Sequence, residues 1–194
     1  DPDVPGVTLT PDLLSNDAEP VFEFGTSDGT DTYECSIDGG SFEDCESGVP
    51  FGPFTDGEHS FSVRSVDLAG NRSAATADFV WEVDVTNPAI SLGGQPVNVK
   101  NGPGQGKETN AKRPVWYFER SDLNLDATKV RCKVDAQAWL ETCLSPFQPK
   151  PSINLADGLH TLHIEAEDHA GNTGKLEIEF RVNTVGPSVV LSES

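Results

Sequence analysis

The sequence predicts an all-β protein built as two tandem β-sandwich modules. Three observations point there. The first is a mark that occurs twice, Asp67-Leu68-Ala69-Gly70-Asn71 and Asp168-His169-Ala170-Gly171-Asn172, 101 residues apart. The second is short runs of alternating apolar and polar residues, the period of a half-buried strand, with turn residues between them. The third is the absence of helical periodicity, which argues for a sandwich. Each mark closes one such run and precedes another. A Thr/Pro linker follows: Asp84-Val85-Thr86-Asn87-Pro88 and then Asn183-Thr184-Val185-Gly186-Pro187, with 99 residues from Pro88 to Pro187. A module of about 100 residues is long enough to bury its own core. The expected boundaries are 1–85, 86–185, and 186–194 as the start of a following module or a tail.

In the first module, Val7-Thr8-Leu9-Thr10 alternates and opens the fold, and Pro11 to Pro20 reads as loop. Val21-Phe22-Glu23-Phe24 is the second strand, and Tyr33-Glu34-Cys35-Ser36-Ile37 the third. Asp38-Gly39-Gly40 tolerates positive φ and marks a hairpin, with Phe42 to Cys45 returning. Phe51 and Phe54 lie in a Gly/Pro-rich connection and are expected to cap the core. His59 to Asp67 is the longest run, with Phe61, Val63 and Ser65 on one face. Ala77 to Val83 closes the module with Phe79, Trp81 and Val83 on one face. The second module repeats the order with Ala89–Leu92, Val115–Phe118, Lys129–Val134, Trp139–Cys143, His160–Asp168 and Leu176–Val182.

The four cysteines fall two per module, Cys35 with Cys45 and Cys132 with Cys143. Spacings of ten and eleven, without a C-x-x-C or a His pair, do not suit zinc. Two local disulfides fit better and imply an oxidising compartment; four reduced buried thiols are the alternative. No apolar run reaches the roughly 18 residues of a membrane span, and no signal peptide opens the chain. The ends read as those of an excised fragment or a mature chain.

Net charge is −19, and it is uneven: residues 1–84 carry 2 basic and 19 acidic side chains, residues 85–194 carry 11 and 13. An acidic surface repels nucleic acid and anionic membranes. It attracts divalent cations, basic partners or water. The second module is longer before its first cysteine, 44 residues from Pro88 against 30 from Pro5. The extra length falls near Lys100 to Arg113. Long loops on a β scaffold often bind ligands, so Lys100, Lys107, Lys112 and Arg113 are candidate ligand-binding residues. A solvated loop is the alternative.

These motifs together resemble the immunoglobulin-like repeats of large bacterial surface proteins and adhesins. Tyr33-Glu34-Cys35-Ser36-Ile37-Asp38-Gly39-Gly40-Ser41-Phe42 with Cys45 resembles their disulfide-bearing hairpin. Asp56-Gly57-Glu58-His59 through Asn71 resembles their long strand and following turn, and Asp84-Val85-Thr86-Asn87-Pro88 their Asp-x-Thr-x-Pro linker. The second module departs at Asn183 and at Val134-Asp135-Ala136-Gln137-Ala138. The resemblance implies two tandem immunoglobulin-like β-sandwich domains, each with one local disulfide. It implies calcium at module junctions, where Asp67 and Asp84 are the candidate metal ligands of the first junction. A turn-capping role for Asp67 and Asn71 is the alternative.

Known catalytic and cation motifs are not completed. Asp122-Leu123-Asn124-Leu125-Asp126 begins like an EF-hand loop, but Ala127 and Lys133 stand where glycine and glutamate are required. A weak surface cation site there remains an expectation. Gly106-Lys107 is followed by Glu108, so a phosphate loop fails. His59 and His160 follow equivalent Asp-Gly pairs and read as structural. The expected role is therefore non-enzymatic: extracellular stalk or display modules of a repetitive cell-surface adhesion protein. Its partners would be neighbouring repeats and a surface protein or glycan. The alternative is an accessory carbohydrate- or protein-binding module using the 100–113 loop or an exposed aromatic such as Trp139.

Overall fold

A computed structural model describes residues 2–27, 32–93, 99–101, 107–122 and 124–186. All regular structure in these residues is β. The chain divides into one unit of residues 1–86 with 169–172 and a second of 87–168 with 173–194.

Unit 1 is a β-sandwich. Its larger sheet has the order β2 (Leu14–Ser15), β7 (Phe79–Val83), β6 (Gly57–Val66), β4 (Thr32–Ile37), β5 (Glu43–Cys45), and its smaller sheet pairs β1 (Gly6–Leu9) with β3 (Glu23–Gly25). Alternation along β6 sends Phe61, Val63 and Ser65 inward, all at most 1% exposed. Phe22 stacks on Phe61 with centroids 4.1 Å apart and meets Trp81 edge-on at 5.3 Å. Phe51 and Phe54 close the margin of this cluster.

Unit 2 is built alike. Its larger sheet has the order β12 (Leu125–Val134), β13 (Gly158–Asp168), β14 (Thr173–Val182), β10 (Lys107–Thr109), β9 (Val99–Asn101), and the smaller sheet pairs β8 (Ala89–Leu92) with β11 (Phe118–Ser121). Trp116, Leu162, Ile164 and Phe180 are at its centre, each no more than 1% exposed. Burying a large apolar side chain contributes about 1.5–3 kcal/mol, so these few residues dominate each core. At Gly174 in β14 a Cβ would overlap the Pro88 carbonyl; the entering chain passes there because glycine leaves room.

Several expectations are corrected. Pro11–Pro20 is not all loop: Leu14-Ser15 runs parallel to β7, with Glu82 N–H donating to Leu13 O and Asp84 N–H to Ser15 O. Part of the Lys100–Arg113 stretch is likewise sheet, since β9 and β10 form a hairpin and β10 runs parallel to β14. Residues 102–106 and 187–194 lie outside the described residues. The Val115–Phe118 run forms isolated bridges and yields its regular strand further on, at β11. The Trp139–Cys143 return pairs with β12 through a bridge at Leu140 rather than as a strand.

Candidate functional site

The long strand of each unit starts from the same constellation. In unit 1, Asp38 turns the β4–β5 hairpin at φ 52°, and its Oδ1 accepts the Ser60 N–H at 2.8 Å. Its Oδ2 lies 2.9 Å from His59 Nδ1, while His59 Nε2 lies 2.8 Å from the Thr55 carbonyl. In unit 2, Asp135 at φ 53° does the same for Thr161 N–H and His160 Nδ1, and the Ala156 carbonyl faces His160 Nε2 at 2.8 Å. Both ring nitrogens of each histidine meet acceptors, which favours the doubly protonated ring. Burial works against that charge. For His59 the Thr55 carbonyl and Asp38 outweigh it, and for His160 Asp135 and the Ala156 carbonyl do, so both pKa values are raised.

A cross-strand ion pair covered by an aromatic ring stands beside each hairpin. In unit 1, Glu34 on β4 is 8% exposed and accepts from Arg72, with Arg64 Nε donating at 2.8 Å. Arg72 first, then Arg64, holds the Glu34 carboxyl down at about 2 despite its burial. The Arg64 guanidinium lies 4.2 Å from the Phe42 ring centroid. In unit 2, Arg131 on β12 donates to Glu165 on β13 at 2.7 Å, and Lys175 reaches the same carboxylate at 3.4 Å. Trp139 covers it: Arg131 and Lys133 lie 4.6 and 4.5 Å from the ring centroid.

Asp67 caps its own turn. Oδ1 accepts from the N–H groups of Asn71 and Ala69 at 2.8 and 2.9 Å, and Oδ2 from Asn71 Nδ2 at 2.8 Å. The Asn71 side chain, then its N–H, lowers the Asp67 pKa. Asp84, 5% exposed, accepts the Thr86 N–H at 3.1 Å, and its carbonyl accepts from Asn172 Nδ2 at 2.6 Å. Asp56 braces the same linker through Thr86 Oγ1 and the Val85 N–H, which together lower its pKa. In unit 2, carboxylate oxygens of Asp122 and Asp168 lie within 4.8 Å of each other, and Asp168 is fully buried. Sequence reasoning set Asp168 as a turn mark and did not place Asp122 beside it.

The predicted basic residues are spread out. Arg113 donates twice to the Pro149 carbonyl, at 2.9 and 3.0 Å, latching one connection onto another. Lys107 is half-buried in β10 and Lys112 is exposed; the Lys100 side chain lies outside the described residues. Open clefts among the described residues include two beside the features above. One, of about 350 Å³, adjoins the Cys35–Cys45 disulfide and is edged by Glu43, Asp44 and Phe51. The other, of about 240 Å³, is edged by Lys129, Arg131, Glu165 and Glu167, which pair with one another. The cysteines form two disulfides, Cys35–Cys45 with Cα atoms 5.8 Å apart and Cys132–Cys143 at 5.6 Å.

No family model and no curated protein matches this chain. Solved structures that this chain resembles include the fibronectin(III)-like modules of Clostridium thermocellum CbhA, at 14% identity and TM-score 0.46, over 91% of this chain and 94% of that one. A Ca2+-stabilized, ice-binding adhesin of an Antarctic bacterium is similar at 13% identity and TM-score 0.46, over 92% of this chain and 48% of the adhesin. SGBP-B of the Bacteroides ovatus mixed-linkage glucan utilization locus, solved with a mixed-linkage heptasaccharide, matches at 12% identity and TM-score 0.29, over 94% of this chain and 71% of that one. At these values the likeness carries no argument about ligand or role.

Proposed function

We propose that the two units are non-enzymatic stalk or display modules of a large repetitive protein at the bacterial cell surface, where that protein mediates adhesion. The observation that carries this reading is the clamp built twice. In each unit an Asp–His–carbonyl chain fixes the start of the longest strand, and a cystine staples the neighbouring hairpin. Such a unit resists deformation by itself and can be repeated to set reach. Among the described residues, the ring nitrogens of His59, His160 and His163 that meet a carboxylate do so in structural pairs. The domain limits proposed are 1–85 and 86–185.

Trp139 serves this reading better than a ligand platform. It is half-buried, cations lie over its ring, and Phe42 covers Arg64 in the same way in unit 1. Calcium is the cation we assign to the acidic surface. The candidate ligands are Asp84 in unit 1 and the Asp122–Asp168 pair in unit 2. Hard oxygen donors of this kind suit calcium. Asp67, expected as a ligand, has both oxygens turned to its own turn, where they accept from Ala69 and Asn71.

The test is binding of the chain to glycans and to cell surfaces. A spacer shows no saturable binding, and Trp139→Ala changes nothing. Saturable binding lost in Trp139→Ala would replace this reading with that of a ligand-binding module.

A further inference from the structure

Strands β4 and β6 of unit 1 pair in the same register as β12 and β13 of unit 2. Cys35 faces Val63 as Cys132 faces Ile164, and Ile37 faces Phe61 as Val134 faces Leu162. These positions are apolar in both units, so the hydrophobic pattern does not distinguish one unit's strands from the other's. The disulfides do not distinguish them either. Each ties its strand to the returning segment of the same hairpin, and neither ties β4 to β6 or β12 to β13. A chain that paired β4 with β13, or β12 with β6, would keep both cystines and an apolar interior. Mispairing between like neighbours is a characteristic failure of such chains.

Two inversions oppose it. At the next position along the register, Glu34 on β4 faces Arg64 on β6, whereas Arg131 on β12 faces Glu165 on β13. The pair is the same, but its polarity is reversed. Exchange would set Glu34 against Glu165 and Arg131 against Arg64, with like charges directly opposed at a partly buried site. Arg72 and Lys175, which reinforce Glu34 and Glu165, would be lost to them or set against a like charge. The second inversion is in the interior. Phe22 before β3 meets Trp81 of β7 at 5.3 Å, while Trp116 before β11 meets Phe180 of β14 at 5.0 Å. Exchanging β7 with β14 would place phenylalanine on phenylalanine in one core, leaving a void. In the other it would place indole on indole, which overfills it. The Asp–His clamps keep the same order in both units and so contribute nothing to the choice.

We infer that these inverted pairs are a recognition device: they make each unit accept its own strands and reject their counterparts, whether from the other unit or from a second copy of this chain. The device is independent of what the units bind or space.

The experiment uses the full chain with disulfides intact, refolded from denaturant over a range of concentrations. The fraction of exchanged species is read as dimer on gel filtration and as a second, slower unfolding population. The variant Arg131→Glu with Glu165→Arg and Lys175→Glu keeps the pairs within unit 2 but gives it the polarity of unit 1. The exchanged fraction is expected to rise by about tenfold, the factor two directly opposed like-charge pairs impose. Adding Glu34→Arg, Arg64→Glu and Arg72→Glu restores opposite polarity and should return the fraction to the starting value. An unchanged fraction in the first variant overturns the inference. So does a raised fraction that the second set fails to lower, or loss of folding in both, since either result places the effect inside one unit.

Discussion

The imidazole of His59 is held between Asp38 Oδ2 at 2.9 Å and the Thr55 carbonyl at 2.8 Å, and His160 repeats the arrangement with Asp135 and Ala156. Acceptors on both sides favour the doubly protonated ring, so its folded pKa is raised above the ordinary value. A raised folded pKa gives stability that is complete below the unfolded value of about 6.5 and is lost as pH rises through the folded one. Urea midpoints should therefore fall as pH rises above about 6.5. In His59→Gln with His160→Gln the fall should be much reduced, and stability at pH 6 should drop by about 1 kcal/mol per site. An alkaline fall of full size in the double variant would place it elsewhere.

Glu34 carries the opposite sign. Its carboxyl titrates at about 2 in the folded unit, because Arg72 and Arg64 both donate to it. Its contribution is present above the ordinary carboxylate range and is lost as pH falls through about 2. Glu34→Gln should destabilise unit 1 at neutral pH and flatten its acid limb. Proton titration followed by NMR on the Glu34 side chain measures the value directly. A Glu34 carboxyl titrating near 4.5, its unshifted value, would contradict the double pairing.

Gly174 leaves space for the Pro88 carbonyl. Gly174→Ala should cost unit 2 about 1–3 kcal/mol, the usual range for overpacking. Gly186, whose added Cβ would meet nothing, is the control and should tolerate alanine. Thermal melts of the two variants check this.

If calcium binds at Asp84 or at the Asp122–Asp168 pair, the melting transition should rise with calcium and fall with a chelator. At a hundredfold excess over Kd the gain is about 2.7 kcal/mol. Asp168→Asn should remove the part due to unit 2. A transition indifferent to both calcium and chelator removes the metal from the account.

Much of the fold was legible because inward residues on the long strands alternate without interruption, as in Phe61, Val63 and Ser65. The equivalence of His59 and His160 was legible from the preceding Asp-Gly pairs. What the sequence hid has physical reasons. Leu14-Ser15 is two residues long, too short to show a period, and Lys107-Glu108-Thr109 has no apolar alternation at all. Asp135 takes a positive φ without a following glycine, since an aspartate side chain tolerates that region. The inverted ion pairs did leave a signal: Glu34 and Arg131 each stand one residue before the first cysteine of their unit. The partners Arg64 and Glu165 lie 34 or fewer residues on, and periodicity alone does not join them.

Stretching the chain by its ends with a force probe tests the stalk reading most directly. The prediction is two separate unfolding events, each followed by an extension shortened by the residues behind a disulfide, 10 apart in one unit and 11 in the other. Reductant should lengthen each extension by roughly 35 Å, the span of about ten extended residues. One merged event, or yielding without measurable resistance, would contradict two self-contained, stapled units.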